Sequence, residues 1–324
     1  MSALPPGVPL PTWRTLLARA AADLSSTDDA RRLVEEVSGL DAAGLSLALD
    51  EVVGTESAAC LADLVGRRRV GEPLQHVIGH WSFRTVELRV DRRALVPRPE
   101  TEIVAGHALA ELARRRVLLA RTVAESGLTQ RVAGDLTQRA AGDLDGDAVP
   151  VPLVAVDLGT GSGAIACAIL AETDDVEVVG VDSSGEAVDL ARENADALGR
   201  RRSSRCRFLV GDWYGGVAEM LHGIVDCVVS NPPYLAEHEW SGLDPVVRDH
   251  DPYSALVAGP TGLEAIDAVI AGAPAVLAPG GALVLEIAPG QSAAAADLAR
   301  LAGARRIEIA FDLAGRERVL VAEW

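Results

Sequence analysis

The chain reads as an α/β protein: a doubly wound, mostly parallel sheet preceded by a small N-terminal helical bundle and a β-hairpin connector. Three observations predict this. Helical periodicity runs from about Pro11 to Val70; a period-two stretch then meets two prolines; and from Val151 onward, near-continuous apolar runs alternate with amphipathic helical segments. Strands that are apolar throughout are buried on both faces, and helices between them supply the cover. The resulting division is an N-terminal helical domain over 1–77, a hairpin linker over 78–98 and an α/β domain over 99–324 with an atypical insertion at about 114–150.

The bundle rests on "TWRTLLARAAADL", "DDARRLVEEVSGL", "GLSLALDEVVG" and "ESAACLADLVGRRRV". Thr27 and Asp28 suit the N-cap of the second helix and Thr55 that of the fourth, while Gly39 and Gly54 suit helix ends. "GEPLQHVIGHWSF" carries Gly and Pro and is expected to be a loop entering a strand, so His76 and His80, although four apart, are not expected to hold a metal. Val86, Leu88 and Val90 alternate with polar neighbours before "LVPRPETE", which predicts the hairpin. The segment "RRRVLLARTVAESGLTQRVAGDLTQRAAGDLDGDAVPVP" reads as an extended helix followed by a solvated Gly/Asp/Pro-rich loop.

Composition narrows the function. A chain of 324 residues with 49% hydrophobic and 24% charged residues can bury a sizeable core. A net charge of −17 disfavours a protein that holds nucleic acid by neutralising many phosphates. Every basic residue among the 30 is arginine, which rules out a catalytic lysine. The four cysteines, Cys60, Cys167, Cys206 and Cys227, lack metal or redox spacing and fit a reduced, cytoplasmic protein. There is no leader-like pattern and no run of 18 apolar residues, so neither a signal peptide nor a membrane span is expected.

The expected strands are "LVAVDLG", "VEVVGVD", "CRFLVGD", "IVDCVVS" and "GALVLEI", and the chemistry falls at their carboxyl ends, where doubly wound sheets bind ligands. After the first, "GTGSG" (Gly159, Thr160, Gly161, Ser162 and Gly163) makes a glycine turn that lets backbone approach a ligand and aims helix N–H groups at it. Asp182 ends the second strand, where a carboxylate can accept from both ribose hydroxyls of an adenosine-type cofactor; capping the next helix is its bland alternative. These two features indicate a nucleoside site without choosing between NAD and S-adenosylmethionine. The third strand delivers Asp212 and Trp213, an acceptor for an adenine amino group and a flat apolar surface for its ring, unless Trp213 is simply core. The fourth ends in Ser230-Asn231-Pro232-Pro233-Tyr234, where two prolines stiffen the exit from the strand.

In that order, the glycine turn, acidic strand end, "GDW" and "NPPY" resemble a class I S-adenosylmethionine-dependent methyltransferase acting on amino groups, with a Rossmann-like sheet. The chain further resembles the release-factor glutamine methyltransferase family, HemK/PrmC, on "GEPLQHVIGHWSF", "LVPRPETE", "DLGTGSGAIA", "SNPPY", "PYSALVAGPTGLEAI" and "DLAGRERVLVAEW". "LVPRPETE" joined to "NPPY" is the specific part, since "NPPY" alone also occurs in adenine and guanine amino-methyltransferases. Two features depart from the family pattern: the length of the 114–150 segment, and "LEIAPGQ" in place of a Gly-aromatic pair after the fifth strand.

The resemblance implies transfer of a methyl group from S-adenosyl-L-methionine to the glutamine of the Gly-Gly-Gln motif in class 1 release factors, with no direct nucleic-acid or membrane partner. It places the cofactor on Gly159, Thr160, Gly161, Ser162, Gly163, Asp182, Asp212, Trp213 and Asn231, and the substrate on Asn231, Pro232, Pro233 and Tyr234. Asn231, Pro232 and Tyr234 are the expected catalytic residues: the Asn231 side-chain oxygen and Pro232 carbonyl would accept the two N–H groups of the target amide, with Tyr234 beside it. Competing readings are an exocyclic-amine methyltransferase of DNA or RNA, which should carry a basic groove or extra recognition domain, and a non-catalytic cofactor-binding adaptor.

Overall fold

The computed structural model describes residues 10–126 and 152–324. The chain divides into two compact units, Met1–Trp81 with Asp244–His250, and Ser82–Leu243 with Asp251–Trp324.

The first unit is built on helices α1 (Trp13–Leu24), α2 (Thr27–Ser38), α3 (Ala42–Ala48), α4 (Thr55–Arg69) and α5 (Leu74–Ile78). Their apolar stripes meet in one core containing Trp13, Leu33, Val34, Leu45, Leu61, Val65 and Val77. The caps differ in detail from expectation. Ser26 caps α2, its hydroxyl accepting from Asp29 N at 3.2 Å, because its extended backbone aims Oγ at the third residue of the helix; Thr27 and Asp28 lie inside the first turn. Gly39 does close α2, but Gly54 precedes α4 instead of ending α3, so Thr55 is the first helical residue. Most of the loop expected at 71–79 is the short helix α5, whose turns are held by Val77 N to Pro73 O and Gly79 N to Gln75 O. His76 sits on α5, and His80 Nε2 pairs with Glu36 Oε2 at 2.9 Å.

Strands β1 (His80–Phe83) and β2 (Val86–Arg89) form the two-stranded hairpin, with Val86, Leu88 and Val90 buried. The 28-residue helix α6 (Pro99–Ser126) follows; residues 127–151, which include the rest of the insertion expected at about 114–150, lie outside the described residues. The remaining elements are β3 (Leu153–Leu158), α7 (Ala164–Glu172), β4 (Val176–Asp182), α8 (Gly185–Ala197), α9 (Arg200–Ser203), β5 (Cys206–Val210), β6 (Val225–Ser230) and β7 (Leu235–Ala236). A 3-10 turn (Glu237–Gly242), α10 (Pro245–Arg248), α11 (Tyr253–Leu256), β8 (Val257–Gly259), α12 (Glu264–Val276), β9 (Leu277–Glu286), α13 (Ser292–Leu301), β10 (Arg306–Phe311) and β11 (Glu317–Glu323) complete the chain.

The main sheet has seven strands in the order β10-β11-β9-β6-β3-β4-β5. The five from β9 to β5 are parallel, and these are the five strands expected from the apolar runs. The antiparallel pair β10 and β11 adds an edge that the helix–strand alternation does not announce. The chain builds outward from β3 through β4 to β5 and then returns to the other side of β3 with β6, creating a switch point between β3 and β6. Among the described residues no helix is long and apolar enough to cross a membrane.

Candidate active site

The parallel register brings the motif-bearing strand ends level: Leu158 lies beside Val181 on one side and Ser230 on the other, and Asp182 beside Val210. The glycine turn therefore leaves β3 next to the "NPPY" exit from β6, at the switch point.

Gly159, Gly161 and Gly163 all have positive φ, at 67°, 55° and 78°, a region that favours glycine. Gly163 forms the N-terminal cap of α7, and a methyl group there would sit 3.1 Å from the Ala191 backbone. The turn is tied to the second strand, since the amides of Gly159 and Thr160 both donate to Val181 O, at 2.8 and 3.0 Å. Gly161 N donates to Asp182 Oδ2 at 2.8 Å, and Ser184 N to Asp182 Oδ1 at 2.9 Å. Each carboxylate oxygen is thus oriented by one backbone donor and keeps lone-pair capacity for a further donor. A methyl at Gly159 would lie 3.9 Å from Asn231 O and 3.9 Å from Trp213 Cζ3, so the glycine turn, Trp213 and Asn231 converge on one place.

Two residues of the turn face inward. Thr160 Oγ1 donates to Asp157 Oδ2 at 2.7 Å, and the Ser162 carbonyl accepts from Asn194 Nδ2 at 2.8 Å, with both residues buried. Asn194 also holds both backbone groups of Arg89, tying β2 to α8. Asp157, which sequence reasoning did not single out, is buried beneath the turn; Oδ2 also receives Ala166 N, while Oδ1 has no hydrogen-bond partner among the described residues. Burial, augmented by the nearby Asp182 charge, pushes its carboxyl up to about 7. A charged residue inside an apolar strand is the signal that marks it.

Trp213 is half-buried and packs against the main core, with φ 47°, an uncommon conformation for a bulky residue. Asp212 is exposed, and its backbone carbonyl accepts from Gly215 N at 2.7 Å.

The "NPPY" turn is anchored from three directions. Ser230 Oγ donates to Leu158 O at 2.7 Å, Tyr234 N donates to Leu256 O at 3.2 Å, and Gln291 Nε2 donates to Tyr234 O at 3.0 Å. Pro232 is buried; Asn231, Pro233 and Tyr234 are half-buried. Burial and the neighbouring Glu286 raise the Tyr234 phenol above its ordinary value.

Asn231 has a specific support. Its Nδ2 donates to Thr101 Oγ1 at 3.0 Å, and Thr101 Oγ1 donates to Glu286 Oε2 at 2.8 Å. Thr101 belongs to "RPETE" in the first turn of α6, so this chain physically joins the two stretches "LVPRPETE" and "NPPY". Just before α6, Arg98 Nη2 pairs with Asp251 Oδ2 at 2.7 Å. Thr101, Glu286, Arg98 and Asp251 were not picked out as site residues from the sequence; "LVPRPETE" and "LEIAPGQ" were visible there, but the partners they meet lie more than a hundred positions away.

These features suit an adenosine-type cofactor: a glycine turn with room above Gly159, a carboxylate held at the end of β4, and an aromatic face beside them. The PrmC N-terminal domain family matches residues 12–79, and the Methyltransferase small domain family matches residues 150–243. The Release factor glutamine methyltransferase of Cereibacter sphaeroides is 36% identical over 307 residues, covering 94% of both chains. That of Deinococcus radiodurans is 37% identical over 315 residues, covering 95% of this chain and 97% of the relative. Among solved structures, TrmN from Thermus thermophilus is 24% identical, covers 53% of this chain and 44% of its own, and has a TM-score of 0.36.

Proposed function

Because the chain belongs to the release factor glutamine methyltransferase family, we propose that it methylates the side-chain amide nitrogen of the glutamine in the Gly-Gly-Gln motif of class 1 peptide chain release factors, in the cytoplasm. The supporting observation is the orientation of Asn231: with Nδ2 committed to Thr101, Oδ1 is the end of the amide left to accept from a substrate.

S-adenosyl-L-methionine supplies an electrophilic methyl group on sulfur. The glycine turn Gly159–Gly163 and the anchored Asp182 would hold its nucleoside portion, with Trp213 against the adenine. Thr160 and Ser162 act from beneath by keeping the turn in shape, and Asp212 stands at the rim.

An amide nitrogen is a weak nucleophile because its lone pair is delocalised into the carbonyl. Accepting both N–H protons, on Asn231 Oδ1 and the Pro232 carbonyl, orients the nitrogen and favours the developing positive charge. Pro233 keeps that carbonyl from turning away, since its ring restricts the preceding residue. Tyr234 flanks the amide and excludes water. No side-chain base is needed, because a methylated amide nitrogen that still carries both protons is strongly acidic. The chemistry is then mainly orientation and preorganised electrostatics.

Mass spectrometry of a class 1 release factor incubated with the protein and cofactor tests this: one methyl on the Gly-Gly-Gln glutamine is expected. An unmodified release factor alongside methylated DNA or RNA would replace this substrate with an exocyclic amine.

A further inference from the structure

Asn231 does not hold itself in place, and the two groups behind it, a hydroxyl and a carboxyl, are both buried. Thr101 is 4% exposed and Glu286 1% exposed, with the hydroxyl of the first set between the carboxyl of the second and the Asn231 amide. We infer that Thr101 and Glu286 form a hydrogen-bond relay that sets the polarity of the Asn231 amide, so that the charge on Glu286 decides whether the Asn231 oxygen is offered to substrate. The inference rests on the reading above that Asn231 accepts from the target amide.

The logic is one of donors and acceptors. The two ends of an Asn amide are nearly alike in shape, so only their hydrogen-bond partners distinguish them. A threonine hydroxyl carries a single proton. An ionised Glu286 can only accept; it therefore receives the Thr101 O–H as a hydrogen bond across the 2.8 Å contact and leaves Thr101 Oγ1 as an acceptor for the Asn231 NH₂ at 3.0 Å. The Asn231 oxygen then faces away from Thr101. A protonated Glu286 can donate to Thr101, whose own proton turns toward Asn231. The amide is best satisfied in that state by rotating its oxygen toward Thr101, which presents NH₂ to the substrate amide, donor against donor.

The surroundings of Glu286 poise it between these states. Burial opposes the carboxylate most strongly, joined by Glu100 in the first turn of α6; the Thr101 hydroxyl favours it, followed by Arg318 on β11, itself 3.6 Å from Asp312, and Arg98 ahead of α6, and Tyr234 faces the same group. The N-terminal turn of α6 adds its own preference for negative charge. The balance leaves the carboxyl pushed up to about 7.

The test is steady-state kinetics with a release factor across about pH 6 to 9, with cofactor affinity measured by calorimetry, for wild type, Thr101→Val, Thr101→Ser, Glu286→Gln and Asn231→Ala. Thr101→Val should lower kcat roughly 10- to 100-fold with cofactor affinity unchanged, and Thr101→Ser, which restores the hydroxyl, should recover most of it. Wild-type kcat should fall on the acid side of neutrality, and Glu286→Gln, which cannot titrate, should lose that acid limb. Wild-type kcat in Thr101→Val, equal damage in Thr101→Ser, or an acid limb that persists in Glu286→Gln would each overturn the relay. Should Thr101→Val fail to bind cofactor, the Glu286→Gln profile decides alone. Asn231→Ala separates the two levels: if it is impaired while Thr101→Val is not, the relay alone fails; if it turns over like wild type, the role of Asn231 fails and the relay with it.

Discussion

Replacing Asp182 tests the cofactor site at its most defined point. Its two carboxylate oxygens each accept one backbone N–H, from Gly161 and Ser184, at 2.8 and 2.9 Å. Asp182→Ala removes the acceptors expected to meet two ribose hydroxyls, and hydrogen bonds to charged groups contribute about 1.5–3 kcal/mol each. Water can take over part of that role at a half-buried position, so a net loss of about 2–4 kcal/mol is expected, or roughly 30- to 1,000-fold in Kd. Asp182→Asn looks conservative but is not. One oxygen cannot serve Gly161 N and Ser184 N in their present geometry, so one of them would face an NH₂ group. An unsatisfied donor costs about 1–3 kcal/mol, and the glycine turn would be disturbed together with the ribose contact. Both variants should therefore bind S-adenosyl-L-homocysteine, an unreactive analogue, more weakly in calorimetry, and thermal unfolding of free Asp182→Ala should fall modestly, because Gly161 N and Ser184 N exchange their carboxylate acceptors for water. Wild-type affinity in a folded Asp182→Ala protein would refute the assignment and leave Asp182 as an anchor for the Gly161 and Ser184 amides alone, since Ser184 is the residue that caps α8.

Four further outcomes follow from the structure. Asn231→Ala should lower kcat roughly 100- to 1,000-fold, as loss of a preorganised donor or acceptor does elsewhere, with cofactor affinity unchanged. Asn231→Asp should retain more, because an acceptor oxygen stays in place, but its second oxygen would meet Thr101 Oγ1, so it should fall well short of wild type in the same assay. Gly180→Ala would place a methyl 2.4 Å from the Phe208 ring and should destabilise by about 1–3 kcal/mol in urea unfolding, with no effect expected if the ring moves freely. Asp157 is held above its unfolded value, so the stability tied to its neutral form is present at low pH and lost as pH rises through about 7. Asp157→Asn keeps an acceptor for Thr160 and Ala166 and cannot ionise; its stability relative to wild type should grow between pH 5 and 8, and a constant difference would contradict the raised pKa.

Much of the architecture was legible because it depends on local pattern. Helical stripes specify which face of α1, α2 and α4 is buried, and apolar runs specify β3, β4, β5, β6 and β9, since each pattern has the period of its own element. Motif order along those strands also placed the glycine turn, Asp182, Trp213 and "NPPY" at carboxyl ends, because a parallel sheet puts all such ends on one side. Less local matters were not legible. The cap of α2 fell on Ser26 instead of the neighbouring Thr27 because a cap depends on one residue's φ and ψ, not on composition. In the β10–β11 edge "RIEIAF" alternates and "RVLVAE" is an apolar run, but the two strands follow one another with no helix between them, so the helix–strand alternation does not frame them.

By itself, then, the amino-acid sequence determined the N-terminal helices, the five parallel strands, the strand ends that bear the chemistry, and the residue types gathered there. Only the tertiary structure decided how those residues hold one another. Asn231 meets Thr101 from 130 positions away and Thr101 meets Glu286 from 185, while Asp182 grips the glycine turn through Gly161 N. The physical reason is that patterning acts through periods of two or 3.6 residues, whereas the direction of a hydrogen bond is set by donor and acceptor geometry across strands. That geometry exists only once β3, β4, β6, β9 and the first turn of α6 are in place.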